Sequence, residues 1–366
     1  MRNGTGFSQR SILIGLCLIF IVMVFLINAI PAEIYNGERD EPSVSFQNAD
    51  NFITTSSAPT LTSTTYQTPT IIQQTQVPPS SSNSVCATIW GIEPPTTLPE
   101  WLRTPPNADG LYTEVNYVVI AGHLISKGLV NASDCPDGGL RSDGIANTCG
   151  MEKAYTQVVN WQNQFNQDIL TAAQDNQIPA TVLKRLFAQE TQFWPPNSFA
   201  PPAYGIGNVT SPGIEPLFMW YDDIYQNTCR EVFSQSCTQP YSELSLKDQQ
   251  VLRGFFISRY IHAYCDTCLN GIDLDKTRRS IDYFAKLIVA NCHQVDLLLN
   301  THGFSTQTLS YEVAWRLTLA NYTVGAGCVI NGVEHMDVSK GFSWEYFNEK
   351  LGSNCSADIY LSTITR

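Results

Sequence analysis

The sequence predicts a mainly α-helical unit held outside the cell by a transmembrane helix and a disordered linker. Three observations carry that expectation. Apolar residues after Cys86 recur at three-to-four spacing between polar cap residues, strand signals are sparse, and the chain before Cys86 splits into an uncharged apolar run and a polar stretch with no apolar period.

The apolar run comes first. Residues 11–30, SILIGLCLIFIVMVFLINAI, carry no charge and are long enough to cross a bilayer. Arg2 and Arg10 precede the run, and Glu33, Glu38, Asp40 and Glu41 follow it with Arg39 among them. The positive-inside bias keeps residues 1–10 in the cytoplasm and sends everything after the run outside, as a single-pass membrane protein. The alternative is a cleaved signal peptide. Against it, the run exceeds a usual signal core, and AIPAE is a poor small-x-small cleavage site. Cys17 has no small residue before it, which argues against a lipoprotein anchor.

Residues 31–85 read as linker. The part from Asn51 to Val85 is rich in Ser, Thr, Gln and Pro and contains no charge. As a flexible coil it would average about 30 Å end to end, and fully extended about 110 Å.

Residues 86–366 read as the folded unit. In VVNWQNQFNQDIL, Val158, Trp161, Phe165 and Ile169 share one helical face. Pro179 suits the first position of a helix through IPATVLKRLFAQET. The segment SLKDQQVLRGFFISRYIHAY opens with Ser245 and Asp248 as a capping pair. A long helix capped by Asp275 runs to just before Gly303, and SYEVAWRLTLA and SWEYFNEKL supply two more.

Ten cysteines follow Cys17, an even number that reads as up to five disulfides in an oxidising compartment. Cys135/Cys149 and Cys229/Cys237 are near enough in sequence to be loop staples, but spacing does not fix the connectivity. Cys265, Cys268, Cys292 and His293 offer a zinc site as the alternative. DTCLNGIDLDKT fails as a calcium loop, having cysteine and threonine where carboxyl ligands belong. No metal or other cofactor is expected.

Formal net charge is −12 and no dense Lys/Arg cluster occurs, so the chain has no electrostatic footprint for nucleic acid. One carboxylate stands out instead. Val182, Leu183, Leu186, Phe187 and Glu190 share a helical face, which aims Glu190 where the core residues point, at the C-terminal end of the helix. Lost hydration and the helix C-terminus both disfavour its charge, so its pKa is expected to rise towards a value useful for protonating a leaving oxygen. The bland reading is a helix-end glutamate turned to water. Asp222 and Asp223 form the other carboxylate pair, but neighbours on a helix point different ways, so they read as a solvated face.

Three segments then occur in order: AQETQF, AYGIGNVT and LANYTVGAGCV. Together they resemble the signature of the soluble lytic transglycosylase family: a Glu-Ser-x-Phe helix end, an Ala-x-Gly-Leu-Met-Gln turn and an Ala-Tyr-Asn-Ala-Gly-x-Gly segment. Glu190 and Phe193 match the first, with Thr191 for serine. Ala203, Gly205 and Val209 match the second, with Ile206, Gly207 and Asn208 replacing Leu, Met and Gln. Tyr322, Gly325 and Gly327 match the third, where Thr323 and Val324 depart from asparagine and alanine. The final FSWEYFNEKLGSNCSADIYLSTI is similar to the family's closing helices. The resemblance covers residues 150–366, with a cysteine-bearing insertion at about 221–303.

The resemblance implies a lysozyme-like fold that cleaves the β-1,4 bond between N-acetylmuramic acid and N-acetylglucosamine in peptidoglycan. Glu190 is the implied catalytic acid and base. Thr191, Tyr204, Gly205, Ile206, Gly207, Asn208, Tyr322, Thr323 and Gly325 are the implied substrate-binding residues. The glycines would give close backbone approach, Asn208 would bond an N-acetyl group, and the Tyr322 hydroxyl would orient Glu190; a simple turn and an ordinary core tyrosine are the alternatives. Peptidoglycan strands are the expected partner, with a cell-envelope assembly as a further one. A lysozyme-type hydrolase, or a catalytically weak glycan-binding component, are the other functions open to the chain. Asn131, Asn208, Asn321 and Asn354 head Asn-x-Ser/Thr sequons, and a glycan on Asn208 or Asn321 would obstruct the groove, which favours a prokaryotic exporter.

Overall fold

Polar caps and apolar faces build the helices largely where the sequence puts them. The computed structural model describes residues 84–196, 202–352, 355 and 357–365, so the expected cytoplasmic tail 1–10, the expected anchor run 11–30 and all but the end of the expected linker lie outside the described residues. Among the described residues, no helix is long and apolar enough to cross a membrane. Helix begins at Val85, one residue inside the expected linker. Ser245 opens Leu246–Phe256 by accepting from the Asp248 amide at 3.1 Å. Ser310 and Ser343 cap Tyr311–Val324 and Trp344–Lys350 in the same way.

Three expectations are corrected. The long helix is Leu274–Thr301, and its cap is Asp273, which accepts from the Lys276 amide at 2.8 Å; Asp275 is the second residue of the helix, in its first turn. The 158–170 segment divides into Thr148–Asn163 and Asn166–Asp175. Its break frees the Gln162 carbonyl, which accepts from the Lys184 ammonium. Pro179 is the cap of Ala180–Thr191, not its first residue. Within residues 221–303, expected as a cysteine-bearing insertion, lies this long helix. Leu274–Thr301 packs against Val85–Trp90, Asn166–Asp175, Glu215–Trp220 and Tyr311–Val324. Its residues Phe284, Ile288, Cys292, Val295 and Leu299 form one fully buried stripe at helical spacing, so it is the spine of the core. Asp222 and Asp223 are exposed in the first turn of Asp222–Phe233, as the sequence suggests.

All ten cysteines after Cys17 are paired: Cys86–Cys292, Cys135–Cys149, Cys229–Cys237, Cys265–Cys268 and Cys328–Cys355. The two local staples form as spacing suggests. The zinc alternative does not, because Cys292 bonds Cys86 beneath Trp90, whose indole donates to the Cys292 carbonyl at 3.1 Å. The first described helix is thereby bolted to the spine.

Lys184 is a buried charge without a carboxylate partner among the described residues. Its ammonium donates to the Gln162 carbonyl and, at 2.6 Å, to Asn166 Oδ1, and lies 4.4 Å from the centre of the Phe193 ring. Burial lowers its pKa from 10.5 to about 7. Between those two values the unfolded chain holds a proton that the folded chain has lost, so stability should rise with pH by up to about 1.4 kcal/mol per unit. Below about pH 7 both states are protonated and the contribution is flat. Urea titrations of the wild type and Lys184→Met across pH 7–9.5 should diverge with that sign; parallel curves would show that the amine keeps its proton.

Candidate active site

The helix Ala180–Thr191 is anchored by Val182, Leu183, Leu186 and Phe187, all 0 % exposed, and Glu190 follows on that side at a partly exposed position. Directly beyond it the chain turns through two consecutive left-handed residues, Gln192 (φ 50°) and Phe193 (φ 62°). Neither is glycine, and each conformation costs on the order of 1–2 kcal/mol. Surrounding contacts offset that cost. Gln192 Oε1 accepts from the Val119 amide at 3.0 Å, and the Phe193 carbonyl accepts from the Trp161 indole at 3.0 Å. Thr191, also buried, donates at 2.8 Å to the Ile206 carbonyl and so ties the helix end to the next segment.

That segment is a small hairpin. β1 (Ala203–Tyr204) pairs antiparallel with β2 (Val209–Thr210) around a four-residue turn. Gly205 (φ 68°) and Asn208 (φ 54°) are left-handed, and the Asn208 amide donates to the Gly205 carbonyl at 3.1 Å. The turn delivers Asn208 to the acid: its Nδ2 donates to Glu190 Oε2 at 3.1 Å. Phe284 of the spine is the post beneath the turn. It meets Phe187 edge-on at 5.6 Å, and a Cβ on Gly207 would stand 2.4 Å from its Cε1.

Tyr322 closes the arrangement by donating its phenolic proton to the Gly207 carbonyl. Burial, together with the Glu190 charge, raises its pKa well above the ordinary value, so it is a neutral donor.

The three segments meet at a cleft of about 440 Å³. Of the expected site residues, Glu190, Asn208, Tyr322, Thr323 and Gly325 line it. Thr191, Gly205, Ile206 and Gly207 are buried behind it, and Tyr204 stands edge-on to His262 at 5.3 Å. Gly205 and Gly207 make room for Phe284, and the Tyr322 proton goes to the Gly207 carbonyl, so Tyr322 holds the turn that carries Asn208 beside Glu190. Thr323 bonds back to the Leu319 carbonyl, leaving its methyl as the free end. Gly325 (φ 85°) makes the corner between Tyr311–Val324 and Ala326–Glu334.

Several lining residues escape sequence reasoning because they sit outside the three segments. Asn291 and Gln294 come from the spine, and both accept from Asn321 Nδ2, at 2.7 and 2.8 Å. Asn321 is 3 % exposed, too buried to carry the glycan its sequon allows. Glu215 is the second carboxylate of the lining, and Arg253 pairs with it while also donating to Tyr241 at 2.8 Å. A proline after Glu215 marks a helix start, but nothing in that pattern signals a cleft. Among the described residues the lining therefore holds amides, hydroxyls and two carboxylates, and no cation. An anionic ligand has no counter-charge there; a neutral one with amide and hydroxyl groups fits.

Comparison with family models, with curated proteins and with solved structures finds no match for this chain.

Gly207→Ala is expected to destabilise the protein by about 1–3 kcal/mol in urea titrations, since the Phe284 ring is held by Phe187 and cannot swing away. Adding Phe284→Leu should return part of the loss. Additive losses in the double variant would show that the ring is not what excludes the methyl.

Proposed function

We propose that the chain is a peptidoglycan lytic transglycosylase, its helical unit lysozyme-like and tethered outside the membrane by residues 11–30. The observation that carries this reading is the convergence of three segments, ordered along more than a hundred residues, on one cleft at Glu190: Asn208 bonds its carboxylate, Thr191 bonds the turn, and Tyr322 braces it from below. Two adjacent left-handed residues just past Glu190 add support, because strain that the surroundings must hold in place concentrates at working sites. Five disulfides suit an oxidising compartment.

In this mechanism Glu190 gives its proton to the glycosidic oxygen, and the C1–O bond breaks. The substrate's own acetamido group supports the positive charge at C1. Glu190, now a carboxylate, takes the proton of the muramic 6-hydroxyl as that oxygen closes onto C1, so a 1,6-anhydro ring forms and the acid is regenerated without water. Asn208 Nδ2 fixes the carboxylate during both transfers. Glu215, the other carboxylate of the lining, is occupied by Arg253, which favours a one-carboxylate route over the paired carboxylates of ordinary glycosidases.

Thr323 favours a second reading. Where the family has asparagine, this hydroxyl is spent on the Leu319 carbonyl, so a polar contact to substrate is missing, as in a glycan-binding component with weak turnover. Purified sacculi separate the two. The transglycosylase should clear a sacculus suspension and release soluble fragments; a protein that sediments with sacculi and releases nothing is the binding component.

A further inference from the structure

The spine sends two amides to the wall of the Glu190 cleft, Asn291 and Gln294, three residues apart on Leu274–Thr301. An amide side chain can turn either end to a ligand, so what it offers depends on what holds it. Here the backbone decides. Asn291 Nδ2 donates to the Leu287 carbonyl at 2.8 Å, and a carbonyl only accepts, so Asn291 must present Oδ1 on its other side. That oxygen accepts one proton of Asn321 Nδ2 at 2.7 Å, and Gln294 Oε1 accepts the other at 2.8 Å. The order holds although it leaves Asn321 Oδ1 without a partner. Asn291 and Asn321 are each 3 % exposed, so neither has room to turn over.

Gln294 is therefore oriented. Its oxygen is spent on Asn321, while its Nε2 has no partner among the described residues and is not sealed from solvent, Gln294 being half-buried at the cleft wall. It offers the cleft two N–H donors and no acceptor. Apolar surface lies close by. Val324 lines the same cleft one turn beyond Asn321 on Tyr311–Val324, and Thr323 beside it has its hydroxyl spent on the Leu319 carbonyl. A fixed donor next to apolar surface matches a carbonyl that carries a methyl group.

We infer that Gln294 reads an acetamido group of the bound glycan, its Nε2 donating to the acetamido carbonyl while the methyl lies towards Val324. The inference rests on the glycan-cleaving reading of the Glu190 cleft and adds a selectivity, for N-acetylated sugars over plain ones, together with the residue that sets it. A hydroxyl also accepts, but it has no methyl to bury. A carboxylate accepts as well, but it would meet Glu190 and Glu215 in a lining that has no cation among the described residues.

Calorimetry on the full-length Glu190→Gln protein tests it, with two neutral β-1,4-linked tetramers, one of N-acetylglucosamine and one of glucose. The acetylated tetramer should bind at least about ten-fold tighter. Adding Gln294→Met removes the donor and keeps the length; adding Gln294→Glu keeps an acceptor for Asn321 Nδ2 and exchanges only the donor end for an oxygen. Each should weaken the acetylated tetramer about three- to ten-fold, as the loss of one hydrogen bond requires, and leave the glucose tetramer unchanged. Because Gln294 is half-buried at the cleft wall, both variants should keep the wild-type urea midpoint. Full affinity for the acetylated tetramer in both variants, or equal losses for the two sugars, would overturn the role of Gln294 and leave the Glu190 cleft standing. Failure of either tetramer to bind the Glu190→Gln protein at all would overturn both.

Discussion

Glu190→Gln is expected to lower glycan cleavage by at least about 10³-fold, because in the proposed mechanism one side chain supplies both proton transfers and glutamine supplies neither. Glutamine keeps the length and an acceptor oxygen for Asn208 Nδ2, now at 3.1 Å from the carboxylate, so the turn and the cleft should stay in place. The loss should therefore fall on turnover, with sacculus binding and the urea midpoint close to wild type. Asn208→Ala should cost less, since it removes the group that steadies the acid and leaves the acid itself. A Glu190→Gln protein that cleaves as fast as wild type would make Glu190 structural and remove the mechanism.

The largest effect on stability is expected from Cys86 and Cys292. Their bond closes a loop with a sequence separation of 206, and both residues are 0 % exposed. In the loop-entropy account, losing it by a double substitution to alanine costs about 5 kcal/mol. The Cys265–Cys268 bond spans a separation of 3 at an exposed loop, and the same account gives it about 1–2 kcal/mol. Urea titrations of the two double variants should differ in that order. Equal, small losses would mean that the unfolded chain is already constrained near residues 86 and 292. The long bond also matters for the cleft, because the spine it fastens carries Phe284, Asn291 and Gln294.

The helices were legible where the apolar spacing is regular, and Ser245 was legible as a cap; Ser310 and Ser343 cap their helices in the same way. The break after Asn163 was not, because the Val158–Trp161–Phe165–Ile169 spacing continues across it undisturbed, and the Gln162 carbonyl it frees is met by Lys184 from another helix. Glu190 was legible as a polar residue on an apolar face. The reason for Gly205 and Gly207 was not, since it lies in Phe284, far along the chain. Asn291, Gln294, Met219 and Glu215 reach the cleft only through the packing of the spine and of Glu215–Trp220, which no local pattern encodes. Short cysteine spacings identified two staples; the Cys86–Cys292 bond follows from the fold.

Mass spectrometry of the fragments that the wild-type protein releases from purified sacculi tests the central claim most directly. Ring closure by Glu190 predicts muramic ends in the 1,6-anhydro form, lighter by one water than a hydrolytic end and lacking a reducing group. Reducing ends in their place would contradict it and make the protein a hydrolase.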